Sequence, residues 1–329
     1  MYRMSNIIEK YKKYPIIIRW LSENDKDTFK RIHYRFYRTF KYLWFDVQWL
    51  ENTRENVKKI KDNSIIITVA HKHSHLMENY DNSRKIFAHW VTMSDYNKYK
   101  MNTKNIFLYN VNRFNRVKFT DKKIWQYISE FDIPIMSTEE YLFNENQIQV
   151  FWWTHLLPTE MKRIPYHYNN KKDVVFCWSW WHNNFIQLET LRRYCIKHWL
   201  KFHQYWRHLI LREPLFHHKF LPYEELEKRT REAYISPAIQ WAQADDWYIC
   251  DRLFINMSIS VLAVSNNPWV YKLFDEDEII CDRNIWKMME KAERCIKDRK
   301  VDDYTKKAFE KVKNNYTYIN LIEKLFSAL

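Results

Sequence analysis

Three histidines stand two residues apart, at His71, His73 and His75, directly after the β-branched run Ser64-Ile65-Ile66-Ile67-Thr68-Val69-Ala70. A short apolar run of that kind predicts a buried parallel strand, and α/β sheets place their reactive groups in the loops at the carboxyl ends of such strands. Imidazoles there could serve as a general base or contact a phosphate. Alternate spacing on an extended segment could also present nitrogens to a metal, but no carboxylate or cysteine is spaced with them, and no metal site is expected. A second concentration of chemistry is Cys177-Trp178-Ser179-Trp180-Trp181-His182-Asn183, between a strand-like run and a helix-like run, the place where a tight phosphate loop would be rich in glycine. His155, after Trp152-Trp153, and Asp25, just beyond the first strand-like run, are further candidate groups.

The loop at 177–183 belongs to a wider pattern, because the 329 residues contain no glycine and sixteen tryptophans. Ordinary usage of about 7% would put roughly two dozen glycines in such a chain. Trp44 follows an amphipathic pattern and precedes a short apolar run, Trp199 does the same after Lys197-His198, and Trp269 follows Asn267-Pro268. Those are helix-end and turn positions that call for a positive φ. The expectation is that most of the tryptophans stand where glycines belong, by deliberate substitution or altered decoding.

The elements that must hold these groups are legible in the periodicity. Tyr14-Pro15-Ile16-Ile17-Ile18-Arg19 predicts a buried strand, after which Asp25 could cap a helix. Phe29, Ile32, Phe36, Phe40 and Leu43 then recur at steps of three and four, with Lys30, Arg31, Arg35 and Arg38 opposed to them. The short run Phe45-Asp46-Val47 completes a βαβ start. Further strands are expected at 64–70 and 104–109, with an edge piece at 133–136. After the polar stretch 165–172 the pattern restarts with a strand at 173–177, a helix at 184–198 and a strand at 200–203. A helix at 224–233, a strand at 263–265, a helix at 286–297 and a helical tail over 302–329 follow. Two α/β units in tandem are expected, over 1–168 and 169–329, with a C-terminal helix that could cross back.

Composition narrows the class. With 46% apolar and 29% charged residues, no apolar run near the ~20 residues of a membrane span, and no signal pattern in Met1-Tyr2-Arg3-Met4-Ser5, a cytoplasmic globular protein is expected. Cysteines at 177, 195, 250, 281 and 295 are odd in number and form no CxxC pair, which argues for reduced thiols. A net charge of +14 suggests an anionic partner: a phosphorylated small molecule, nucleic acid or an anionic membrane face. Basic charge with 18% aromatics would suit a nucleic-acid binder without catalysis if both kinds of residue were interleaved on one face.

The stretch Tyr248-Ile249-Cys250-Asp251-Arg252-Leu253-Phe254-Ile255-Asn256-Met257-Ser258, followed by Leu262-Ala263-Val264-Ser265-Asn266-Asn267-Pro268-Trp269-Val270 and Leu273-Phe274-Asp275, resembles the C-terminal half of GT-B glycosyltransferases. The likeness is to the branch similar to spore maturation proteins, and it spans roughly 173–297. It implies two Rossmann-like domains facing a cleft, a nucleotide-diphosphate sugar as donor, an acceptor that the sequence does not name, and no cofactor. In such a site Arg252 and a helix N-terminus would meet the diphosphate, and Asp251 or Asp246 would accept ribose hydroxyls. Trp178, Ser179, His182 and Asn183 would line the phosphate loop, while Ser265 and Asn266 would contact the sugar or phosphate. His71, His73, His155 or Asp25 would deprotonate the acceptor if transfer inverts configuration.

The chain departs from the family pattern where an acidic residue is common, since Ile255 and Asn256 stand after the Arg-x-Phe stretch, and Val261 stands where a small residue is expected. Indoles in the phosphate loop would exclude a diphosphate. A non-glycine residue at a positive-φ site costs on the order of 1–2 kcal/mol, and overpacking adds ~1–3. Over sixteen sites this would exceed a stability of ~5–15 kcal/mol, so the chain as written is expected neither to fold stably nor to catalyse.

Overall fold

The computed structural model describes residues 5–20, 30–51, 53–61, 63–69, 85–89, 106–111, 147–150, 154, 156–166, 168, 172–178, 185–206, 219–220, 223–239, 249–327 and 329. It divides into two units, one formed by 1–151 with 318–329 and the other by 152–317. The stretch 152–168 therefore belongs with the second unit, and the last twelve residues with the first.

The first unit is built on the isoleucine runs. Strands β1 (Ile16–Trp20), β2 (Val47–Glu51), β3 (Ile65–Val69), β4 (Lys85–His89), β5 (Ile106–Val111) and β6 (Gln147–Val150) form one parallel sheet in the order β2-β1-β3-β4-β5-β6. Ile16, Ile17 and Ile18 register against Ile65, Ile66 and Ile67, and all six are buried. Runs buried on both faces show no alternation, which is why they read as solid apolar segments. Helix α1 (Asn6–Tyr11) is capped by the Ser5 hydroxyl, α2 (Lys30–Tyr42) crosses from β1 to β2, and the single turn α3 (Arg54–Val57) is capped by Thr53. The expected edge piece at 133–136 lies outside the described residues.

In the second unit, β7 (Asp173–Trp178), β8 (Lys201–Trp206) and β9 (Lys219–Phe220) pair in parallel, as do β10 (Val264–Ser265) and β11 (Ile280–Cys281). The extended stretch 234–239 joins the two sets, since Ile235 bridges Val174 and Ala238 bridges Ser265. Counting that stretch as the fourth strand gives the order 3-2-1-4-5-6 of a doubly wound sheet. Its helices are α4 (Phe185–Lys197), α5 (Tyr223–Glu232), α6 (Asp251–Ser258), α7 (Ile285–Lys297) and α8 (Val301–Asn315). The core gathers Val174, Phe176, Leu191, Val264, Met288 and Met289. Tyr194 is clasped there, its hydroxyl donating to Glu293 Oε2 at 2.6 Å while its ring stacks on His198 and meets Trp286 edge-on. Burial, and then Glu293, push that phenol far above its usual range. Tyr194→Phe should lower the stability of this unit by about 1.5–3 kcal/mol, read by denaturant unfolding, because the Glu293 carboxylate loses its phenol donor and keeps His198 Nδ1, 3.2 Å away.

The helical tail is two helices, not one. α8 ends at Asn315 with Tyr316 as its C-cap, and α9 (Tyr318–Phe326) begins after Thr317, which bridges Thr154 while the Thr154 N–H donates to the Tyr316 carbonyl at 2.9 Å. α9 counts with the first unit, where Phe326 touches Tyr11, Phe40 and Phe45, and Tyr318 meets Phe36 edge-on. This explains a second departure. Arg35, expected on the polar face of α2, is only 9% exposed, with its guanidinium 5.9 Å from the Tyr318 ring. No described helix is long and apolar enough to cross a membrane.

Trp44 and Trp199 have φ of 61° and 58°, and their side chains are 84% and 89% exposed. Each occupies the left-handed position of a Schellman motif. The Phe45 N–H donates to the Phe40 carbonyl and Trp44 to Lys41; likewise Leu200 donates to Cys195 and Trp199 to Ile196. Ser260 and Arg299 close α6 and α7 in the same way at φ 60° and 56°. Trp269 differs: it lies in a 3-10 turn, Pro268–Lys272, without a positive φ, because Pro268 already sets a helical φ at its start. Trp20, Trp178 and Trp206 are the last residues of β1, β7 and β8, whereas Trp49 lies within β2 and Trp286 in the first turn of α7. Those last two pack as aromatics, Trp49 on Tyr37 and Trp286 on Tyr194.

Candidate functional site

In a doubly wound sheet the ligand position is the crevice beyond the carboxyl ends of the strands where the order reverses. In the second unit that point lies between β7 and the stretch 234–239. Among the described residues, α6 reaches both sides of that point, through Arg252 to Phe176 on β7 and through Asn256 to Ser236.

The N-cap of α6 is Cys250, an extended residue whose side chain makes no capping hydrogen bond. Arg252, the second residue of the helix, lies with its guanidinium carbon 4.9 Å from the centroid of the Phe176 ring on β7. A guanidinium over an aromatic face gains a cation–π attraction that helps to fix where it lies. The helix itself is tied to the sheet at the same point. Asn256, buried, donates from Nδ2 to the Ser236 carbonyl at 2.9 Å, anchoring α6 to the fourth strand.

Asn256 thus faces inward, and the position where the family pattern has an acidic residue is occupied by a structural tether. Periodicity had no way to reveal this tether, because its partner lies twenty residues earlier. Phe176 beneath Arg252 was likewise invisible. Two buried polar atoms near the same strand ends, Ser236 Oγ and Gln187 Oε1 in the first turn of α4, find no hydrogen-bond partner among the described residues. At the outer side of the edge, Lys291 of α7 reaches the Cys281 carbonyl and Asp282 Oδ2, at 3.2 and 2.9 Å. Burial raises the Asp282 carboxyl, but the Lys291 hydrogen bond and the Asn284 N–H outweigh it and hold the group below its ordinary value.

Among the residues singled out from sequence, Arg252 lies over Phe176 of β7 and Asp251 opens α6. Trp178 is the last residue of β7. Ser265 ends β10 fully buried, and its hydroxyl accepts from the Asn267 N–H at 3.2 Å, so it shapes the turn that leaves Asn266 half-buried beside it. Ser179, His182, Asn183, Asp246, His71, His73, His155 and Asp25 lie outside the described residues. Cys195, Cys250, Cys281 and Cys295 are free thiols, and burial pushes Cys195 and Cys281 up to about 12 and Cys295 to about 11, too high for nucleophiles at neutral pH.

The sequence matches no protein-family model and no curated protein sequence. Solved structures do match the fold. An α-glucosyltransferase in complex with UDP-glucose and DNA containing an abasic site aligns at TM-score 0.63 and 10% identity, covering 94% of this chain and 99% of that one. The DNA-modifying enzyme β-glucosyltransferase aligns at 0.55 and 9%, covering 95% and 99%. The chain also spans 56% of a longer S. aureus TarM structure, at TM-score 0.49 and 17% identity over 75% of this chain. The α/β fold with parallel strands is that of GT-B glycosyltransferase structures.

Proposed function

We propose that this chain is a glycosyltransferase scaffold that takes a sugar from a nucleotide-diphosphate donor held by the second unit. The observation that carries the reading is Arg252 fixed over Phe176 at the amino end of α6, where a helix dipole and a guanidinium meet at the switch point of a nucleotide-binding sheet. The UDP and UDP-glucose named for the similar glucosyltransferases support the same donor class. Arg252 and the first-turn amides would hold the diphosphate, helped by Ser179, His182 and Asn183 in the loop that Trp178 opens. Asp246 or Asp251 would take the ribose, and Asn266, presented by the Ser265 turn, the sugar. In the first unit His71, His73, His155 or Asp25 would accept the proton of the acceptor hydroxyl. A nucleic-acid acceptor is the second reading, favoured by the basic helix α2 and by the DNA named for two similar structures.

The working form of this site carries glycine in place of most of the tryptophans. Trp44 and Trp199, at left-handed helix ends, and Trp20, Trp178 and Trp206, at strand ends, support that reading; Trp49 and Trp286 do not belong to the set. With indoles in the 178–181 loop the chain as written is inactive. Calorimetric titration with UDP, GDP and their sugars, on this chain and on one with glycine at every tryptophan except 49 and 286, tests both statements. Binding by the glycine form alone is the expected result. A folded glycine form that binds none of these nucleotides rejects the donor reading.

A further inference from the structure

The first unit carries a basic helix with exposed side chains. α2, KRIHYRFYRTFKY, has five lysines and arginines and no acidic residue in thirteen positions. Its inner face, with Phe36, Thr39 and Phe40, is buried, and Arg35 is covered as well. The outer face holds Tyr34, Tyr37, Arg38 and Lys41, spaced three and four apart so that they form one stripe. Tyr34 is 43% exposed and Lys41 is exposed, while Tyr37 and Arg38 are half-buried. Lys41 Nζ sits 4.3 Å from the centroid of the Tyr37 ring, and that ring meets Trp49 edge-on at 5.7 Å. Trp49 is half-buried on β2, the edge strand of the sheet, which extends the aromatic surface beyond the helix. The acidic residues nearest in the chain, Asp46 and Glu51, flank Trp49 on either side along β2.

We infer that this stripe of α2, with Trp49, is a contact surface for a single nucleic-acid strand. Two rings, Tyr34 and Tyr37, are followed along the helix by two cations, Arg38 and Lys41, so that a base can stack on the exposed Tyr34 while phosphates lie beside the cations. A chain with net charge +14 adds the long-range attraction that such a partner responds to. An anionic membrane would favour aliphatic side chains between the cations, and the described outer positions of α2 carry tyrosines instead. α2 begins at the carboxyl edge of β1, so a strand lying along it is led towards the loop end of the sheet.

The test is fluorescence anisotropy with a labelled single-stranded oligonucleotide at two salt concentrations, on the chain as written and on its Trp44→Gly/Trp199→Gly form. Binding that weakens steeply with salt is expected, with a loss of about tenfold or more in Arg38→Glu/Lys41→Glu. Tyr34→Ala, a change at an exposed site, should cost about fivefold to a hundredfold through lost stacking. Both variants should keep the thermal midpoint of their parent. No binding by either parent, or unchanged binding by the charge-reversed double variant, overturns the inference. So does binding to phosphatidylserine vesicles that depends on Arg38 and Lys41 without oligonucleotide binding. UDP titration of the same preparations reads the donor site separately, so failure of one reading leaves the other standing.

Discussion

Replacing four tryptophans by glycine, one at a time, gives changes of stability with opposite signs. Trp44→Gly and Trp199→Gly each stabilise by about 1 kcal/mol. The left-handed conformation costs a residue with a Cβ on the order of 1–2 kcal/mol, and the greater freedom of glycine in the unfolded chain returns part of that gain. Both indoles are almost wholly in solvent, at 84% and 89% exposure, so their removal leaves no cavity. Trp49→Gly and Trp286→Gly destabilise by about 2–4 kcal/mol, since each deletes a packed ring and places glycine inside a strand or helix. Trp44 lies in the first unit and Trp199 in the second, so their effects should add and should move different parts of the unfolding curve. Arg299→Gly serves as a calibration, because its left-handed φ of 56° ends α7 by the same pair of hydrogen bonds. Thermal unfolding of the single variants reads all five. A fall in stability for Trp44→Gly and Trp199→Gly would reject the glycine reading at the two positions where backbone geometry bears on it most directly.

Arg252→Glu should abolish nucleotide binding by the glycine form. On the proposed reading the substitution removes the cation that meets the diphosphate and installs a carboxylate at a helix N-terminus, and losing one partner of a desolvated charge pair costs about 2–5 kcal/mol or more. That corresponds to a drop on the order of a hundredfold or greater, beyond what calorimetry of UDP would detect. Arg252→Lys separates charge from shape: an ammonium keeps the attraction but lacks the planar, bidentate edge of a guanidinium, so binding should weaken without disappearing. Arg252 is half-buried and its side chain spans two elements, so each variant needs its unfolding midpoint measured alongside. If Arg252→Glu binds UDP as well as the parent does, the amino end of α6 is not the diphosphate site.

The sequence made some features plain for reasons of local geometry. A helix that ends in a left-handed residue leaves a break in its apolar period followed at once by a buried residue, and Leu43-Trp44-Phe45 and His198-Trp199-Leu200 both show it. Trp269 shares the look of a turn, yet Pro268 commits the backbone to a 3-10 turn before it. The isoleucine runs announced β1 and β3, while β4, β6, β9 and β11 were missed, since two to five residues of mixed character become strands only through their neighbours. Arg252 was named through the resemblance around it. The Phe176 ring beneath it and the Ser236 carbonyl that Asn256 holds depend on contacts across elements, which leave no periodic trace. Arg35 was misplaced for the same reason, because α9 covers it from the far end of the chain.

The pairing of Thr154 with Thr317 has a consequence for how this polypeptide can be cut and rejoined. Residues 152–317 interrupt the first unit as an insertion, and the two ends of that insertion are fastened to each other, with the Thr154 hydroxyl also donating to Ser258 Oγ at 2.8 Å. A segment whose entry and exit lie side by side can be expressed as a free-standing protein, or circularly permuted across the join, without stretching its backbone. The first unit, in turn, could be closed over the gap by a short turn. The 329-residue chain can therefore be treated as two separable modules, one nested in the other.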